Sequence, residues 1–205
     1  MRKLLGLTVV LAVLGVCAPS YGYILVYKVT GAMKAVDWNS EKIVSVSVKG
    51  CLAMDINDSE EVNDAQMVLD GKNANGALVY YKDLLSDPNG NGGARWDTTG
   101  GVVGLAVWDY NSPFDYEFLM TGNVKATDVG LGASIKKSAA SSLKGTLDSY
   151  WAQLLDDNQD LFGSGTATMT LDTKQTKAAN AGAKTVDDII TTFIAGLKGY
   201  SEITL

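Results

Sequence analysis

One stretch of this chain is written twice. Thr30-Gly31-Ala32-Met33-Lys34-Ala35-Val36-Asp37 returns as Thr121-Gly122-Asn123-Val124-Lys125-Ala126-Thr127-Asp128, with five of eight positions identical at an offset of 91. Two further blocks follow in the same order. Lys49-Gly50-Cys51-Leu52 is answered by Lys144-Gly145-Thr146-Leu147 at offset 95, and Met67 to Lys72 by Met169 to Lys174 at offset 102. A drifting offset is what loop insertions produce, and an internal period constrains architecture before any single residue does. It predicts two tandem units, about 23–112 and 113–205, with the junction near Ser112-Pro113.

Parity says what the units are made of. From Tyr23 to Asp37 the odd positions are apolar or small, while Lys28, Thr30 and Lys34 fall on the other face. From Lys42 to Ile56 the even positions Val44, Val46, Val48, Gly50, Leu52, Met54 and Ile56 oppose Ser45, Ser47 and Lys49. Alternation sustained this long predicts half-buried strands, joined by a hairpin at Trp38 to Glu41. Further strands are expected near Ala65 to Gly71, Ala77 to Lys82 and Val102 to Trp108. The repeat is strongest on the inward face, where Leu25, Tyr27, Val29, Gly31 and Met33 map onto Tyr116, Phe118, Met120, Gly122 and Val124. Mid-strand glycines at Gly31, Gly50, Gly122 and Gly145 point to strongly coiled sheets.

The halves differ at their ends. Thr185-Val186-Asp187-Asp188 carries a hydroxyl cap with a carboxylate three positions on. Ile189, Ile190, Phe193, Ile194 and Leu197 then share one helical face. The expected fold is therefore mainly β: two tandem pseudo-equivalent antiparallel β units forming one curled sandwich or barrel, with a C-terminal α-helix. Residues 23–205 are expected to form a single compact domain.

The start of the chain predicts export. Arg2 and Lys3, an apolar run from Leu4 to Val16, and small residues at Ser20 and Gly22 read as a signal peptide over 1–22, cleaved before Tyr23. Acylation of Cys17 is the rival, disfavoured by the bulky Val16 before it. The apolar run is shorter than the roughly 20 residues that span a bilayer. The expected location is periplasmic, cell-surface or extracellular. Cleavage would remove two of 17 basic and none of 23 acidic side chains, taking the formal charge from −6 to about −8. Such a surface disfavours nucleic acid. It would also leave Cys51 alone, with no intrachain disulfide.

The catalytic inventory is thin. The chain has no histidine, which removes Ser-His-Asp and Cys-His catalysis, the common zinc sites and the usual neutral-pH base. Cys51 lies on the Ser45, Ser47, Lys49 face and reads as an inert strand thiol, or as half of an intermolecular disulfide. Asp87-Pro88-Asn89-Gly90-Asn91-Gly92 matches the first half of a calcium loop, with Asp87, Asn89 and Asn91 as candidate ligands. Arg95 and Thr98 stand where the loop should close with further oxygen ligands, so any calcium site is weak and no other cofactor is expected. The acidic runs Asp55 to Glu61 and Asp156 to Asp160 read as solvated loops that could hold a glycosidase-type carboxylate pair only across a cleft. Trp38, Trp96, Trp108 and Trp151 could stack on sugars, but read first as core or rim packing.

These features describe an exported, non-catalytic structural or ligand-binding protein whose partner could be a small molecule, a glycan, a protein or a second copy. The alternatives are a carboxylate-based secreted hydrolase and an outer-membrane β-barrel.

Overall fold

In the computed structural model the described residues are 22–37, 42–73, 76–85, 89–110, 114–124, 135–151 and 161–197. Among these residues nine strands form one sheet: β1 (Tyr23–Asp37), β2 (Lys42–Ile56), β3 (Val62–Asn73), β4 (Gly76–Asp83), β5 (Gly92–Thr99), β6 (Val102–Asp109), β7 (Phe114–Asn123), β8 (Ser142–Trp151) and β9 (Leu161–Leu171). Three helices among the described residues accompany them: α1 (Ile135–Ser138), α2 (Thr173–Ala181) and α3 (Val186–Gly196). The first two strands have the bounds their alternation predicts. The Trp38 to Glu41 hairpin lies outside the described residues. So do the Ser112-Pro113 junction and the Asp156 to Asp160 run.

The spatial order is β4-β3-β2-β1-β9-β8-β7-β6-β5. Except for β4 and β5, each strand neighbours the next in sequence, and β9 returns to pair with β1 from Tyr27↔Leu171 to Asp37↔Leu161. The result is an up-and-down sheet curled into a nearly closed barrel, with β4 and β5 at its two edges. Every adjacent pair is antiparallel, so counting round the sheet from β3 to β6 makes β4 and β5 run the same way. They act as two pieces of one interrupted stave. β4 pairs with β3 from Gln66↔Asp83 to Asn73↔Gly76. β5 pairs with β6 throughout and, on its other side, reaches the β2–β3 turn, where Thr98 N donates to Glu60 Oε2 at 3.1 Å and the Thr98 hydroxyl also meets that carboxylate.

Both halves set their first two strands in the same register. In β1–β2, Tyr27 faces Leu52, Val29 faces Gly50 and Thr30 faces Lys49. In β7–β8, Phe118 faces Leu147, Met120 faces Gly145 and Thr121 faces Lys144. The third strands differ. Leu52 faces Met67, whereas Leu147 faces Gly165, and Met169 lies opposite Leu143 instead. The third block is therefore displaced by four residues along its strand, an even number that keeps the same side chains inward.

Two of the mid-strand glycines show how tight the curl is. A Cβ at Gly50 would run into the Val68 carbonyl of β3, and one at Gly145 into the Leu119 carbonyl of β7. Only glycine lets the neighbouring backbone come so close.

The inward faces fill the bore. Leu25, Tyr27, Val29, Leu52, Met67, Phe118, Met120, Leu143, Leu147 and Met169 are all buried there. An eight-stranded barrel is just wide enough for side chains to fill it. Tyr27 spans the bore, packing its ring 6.4 Å from that of Trp96 and donating its hydroxyl to the Ala140 carbonyl. Ile135 of α1 and Ala140 join the same cluster and plug the end at which β1 begins.

A second, smaller cluster lies outside. Ile24, Val26, Cys51, Ala53 and Val68 point away from the bore, and α2 and α3 cover them with Ala179, Val186, Ile189 and Ile190. α3 starts as its sequence predicts, with a reciprocal capping box between Thr185 and Asp188. α2 is an addition to the expected single helix. Its buried side chains, Thr176 and Ala179, form no apolar stripe.

Candidate functional site

β9 ends at Leu171, four residues short of covering β1, whose first residues would otherwise present bare amides and carbonyls. The chain turns there into α2, whose side chains do what a strand would have done. Asp172 N donates to the Val26 carbonyl at 2.8 Å, and Val26 N donates to Thr176 Oγ1 at 3.1 Å. Asn180 accepts from Ile24 N at 3.0 Å and donates to Ile24 O at 2.8 Å. Asp172 is also the N-cap of α2, accepting from Gln175 N at 3.0 Å.

Because α2 hugs the free edge of β1 and α3 lies over β2 and β3, a groove is left between the helices and the outer face of β1–β2. It has a volume of about 380 Å³. Val26 and Cys51 line it from the strands, Ile189, Phe193 and Leu197 from α3 and the residue beyond it. Polar groups stand at one side: Lys28 and Asp172 form an ion pair at 3.0 Å, beside Gln175 and Thr192. The Lys28 side chain is 68 % exposed and that of Asp172 13 %. The combination is an apolar trough with a charged edge.

The electrostatics of the two titratable groups follow from this placement. Burial pulls the Asp172 carboxyl upward, but the Gln175 amide and the hydrogen bond and charge of Lys28 outweigh it and hold the group below the usual carboxylate range. Cys51 is 4 % exposed. Burial first, then the negative charge of Asp172, push its thiol up to about 12, against an opposing pull from Lys28. It is a weak nucleophile there.

The residues singled out in the sequence lie in several parts of the fold, and some of them fall outside the described residues. Asn89 and Asn91 lie in the turn that leads into β5, while Asp87 falls outside the described residues. Among the described residues no group of three or more His, Cys, Asp or Glu side chains is placed to hold a metal ion. Trp96 is inside the bore. Trp108 lies half-buried on the outer face, its ring against Gly93, where a Cβ would collide with it. Trp38 is not described. Of the Asp55 to Glu61 run, Asp55 and Ile56 end β2 and Asn57 to Glu61 forms the β2–β3 turn, in which Asn57 Oδ1 accepts from Ser59 N and Glu61 N, and Asp58 Oδ1 accepts from Ile135 N. Of the groove, the sequence had marked Cys51 and the apolar face of α3. Lys28 and Asp172 carried no signal, since one is an ordinary outward lysine and the other lay in a repeat block.

Comparison with models of known protein families gives no match, and comparison with curated proteins gives none either.

Proposed function

We propose that this chain is an exported, non-catalytic β-barrel protein that holds a small amphipathic ligand outside the barrel, in the groove between α3 and β1–β2. The observation that carries the reading is the contrast between a bore packed with apolar side chains and a solvent-open apolar trough edged by the Lys28–Asp172 pair. Binding sites are concave, mostly apolar and oriented by a few polar groups. The favoured ligand has an apolar body, received by Ile189, Phe193 and Leu197, and a hydrogen-bonding or anionic head for Lys28.

A water-facing barrel is supported by its outer surface. β8 and β9 turn Ser142, Lys144, Thr146, Asp148, Ser164, Thr166, Thr168 and Thr170 outward. A membrane barrel needs an apolar band there and a polar lumen, the reverse of this arrangement. Among the described residues no helix is long and apolar enough to cross a membrane.

The test uses 8-anilinonaphthalene-1-sulfonate, an anionic amphiphile that fluoresces when its surroundings become apolar. The mature chain should bind it saturably, one to one. Gly196 lines the groove and has open space where its side chain would be, so Gly196→Phe should fill the trough without disturbing the fold and remove the signal. Lys28→Gln should weaken binding. Fluorescence that does not saturate, or that survives Gly196→Phe, would refute the groove as the binding seat.

A further inference from the structure

Asp55, near the end of β2, has one oxygen without a partner. Its Oδ1 is shut off from solvent and makes no hydrogen bond, although Asn63 of β3 bonds the carboxyl elsewhere. Its cross-strand partner on β3 is Asp64, a second carboxylate on the same outer face. Burial accordingly pushes the Asp55 carboxyl above its ordinary value. An orphaned buried carboxylate oxygen is costly and calls for an explanation.

The residue pressed against that oxygen is Gly22. A side chain there would collide with Asp55 Oδ1 and with the Ile56 carbonyl group. Gly22 is also the last residue of the expected leader. The adjoining Tyr23 is aligned with Ile56, and Ile24 with Asp55. Ile24 turns its N–H and carbonyl to Asn180, so the alternation of an antiparallel strand turns the Tyr23 nitrogen the other way, towards β2.

We propose that cleavage of the Gly22–Tyr23 bond supplies the missing partner: the new α-ammonium group of Tyr23 pairs with Asp55 Oδ1 and fastens the start of β1 to the end of β2 only in the processed chain. The inference rests on the export reading. A signal peptidase adds water across the amide; the hydroxyl leaves on Gly22 as the carboxylate of the released leader, and the freed Tyr23 amine takes up a proton. An amide N–H with one donor becomes an ammonium with three, enough to keep a strand hydrogen bond and add one to Asp55. A charge-assisted bond of this kind is among the stronger ones. The same glycine thus meets two demands, a small residue before the scissile bond and a close approach to Asp55.

Two measurements decide it. First, the N-terminus of the exported protein is sequenced; a start other than Tyr23 overturns both the cleavage site and the device built on it. Second, chains 23–205 with a free Tyr23 amine, with that amine acetylated, and with Gly22 retained are melted, each with Asp55 and with Asp55→Asn. Acetylation and the extra glycine should each lower the midpoint by roughly 2–4 °C, and Asp55→Asn should abolish the difference. Equal melting of the free and acetylated chains, or a difference that persists in Asp55→Asn, overturns the ion pair while leaving export intact. Should Asp55→Asn fail to fold, the α-ammonium pKa decides: its titration by NMR should lie above the ordinary value near 8, and an unshifted titration overturns the pairing.

Discussion

Cys51 and Asp172 line the same groove and are displaced in opposite directions, because burial outweighs the pull of Lys28 on the thiol, whereas the Gln175 amide and Lys28 outweigh burial at the carboxyl. A thiol raised to about 12 is almost wholly protonated at pH 8. Native Cys51 should therefore react with a soluble disulfide reagent on the order of a thousand-fold more slowly than in the unfolded chain, where the ordinary value is about 8.5. Rapid native labelling would mean that α3 lifts away from β2. Asp172 supplies the pH dependence. Its folded value is depressed, so its stabilisation is present above the ordinary carboxylate range and is lost as pH falls through the folded value. Asp172→Asn should lower the melting temperature most near pH 7, and its gap to the parent should close progressively below about pH 4. A gap constant with pH would exclude the ionic contribution.

At the scale of elements, α2 serves as a substitute strand. Asn180→Ala removes both partners of Ile24 at a partly exposed site, which should cost about 1 kcal/mol. It should also speed hydrogen exchange at the Ile24 amide while leaving Leu52, deep in β2, protected; unchanged exchange at Ile24 would contradict the tether. The same helix shows why part of the fold is hard to read in the chain. β1 and β2 are legible to the residue because apolar or small side chains recur at every second position along each of them. α3 is legible because Thr185 and Asp188 cap it and its apolar residues recur at helical spacing. α2 binds through Thr176 and Asn180, polar side chains that satisfy a strand edge, so periodicity has nothing to detect. β5 begins inside a glycine-rich run that reads as a turn, and its one large inward side chain, Trp96, is too little to reveal alternation. The groove is less legible still, being assembled from the outward face of two strands and the flank of a helix, none of which is unusual alone.

At the scale of the whole molecule, the sequence between β4 and β5 carries the calcium-like motif. Asp87 brings its single full charge, and Arg95 follows in β5. Tight calcium loops use several carboxylates and a bidentate closing ligand. A few millimolar calcium should therefore raise the melting temperature by no more than a few degrees. A rise of ten degrees that Asp87→Ala abolishes would make this a functional ion site. The pairing of β1 with β9 has a different consequence, for the order of events in folding. β1 and β2 can zip together as soon as both exist. The other edge of β1 waits for residues far down the chain, Thr30 meeting Thr168 across 138 positions, and for α2 beyond them. Contacts so distant close slowly, and until they form a fifteen-residue strand edge stands open to any other chain. The first strand made is the last to be finished, and a chaperone that shields it in the interval would gain the most by holding that edge.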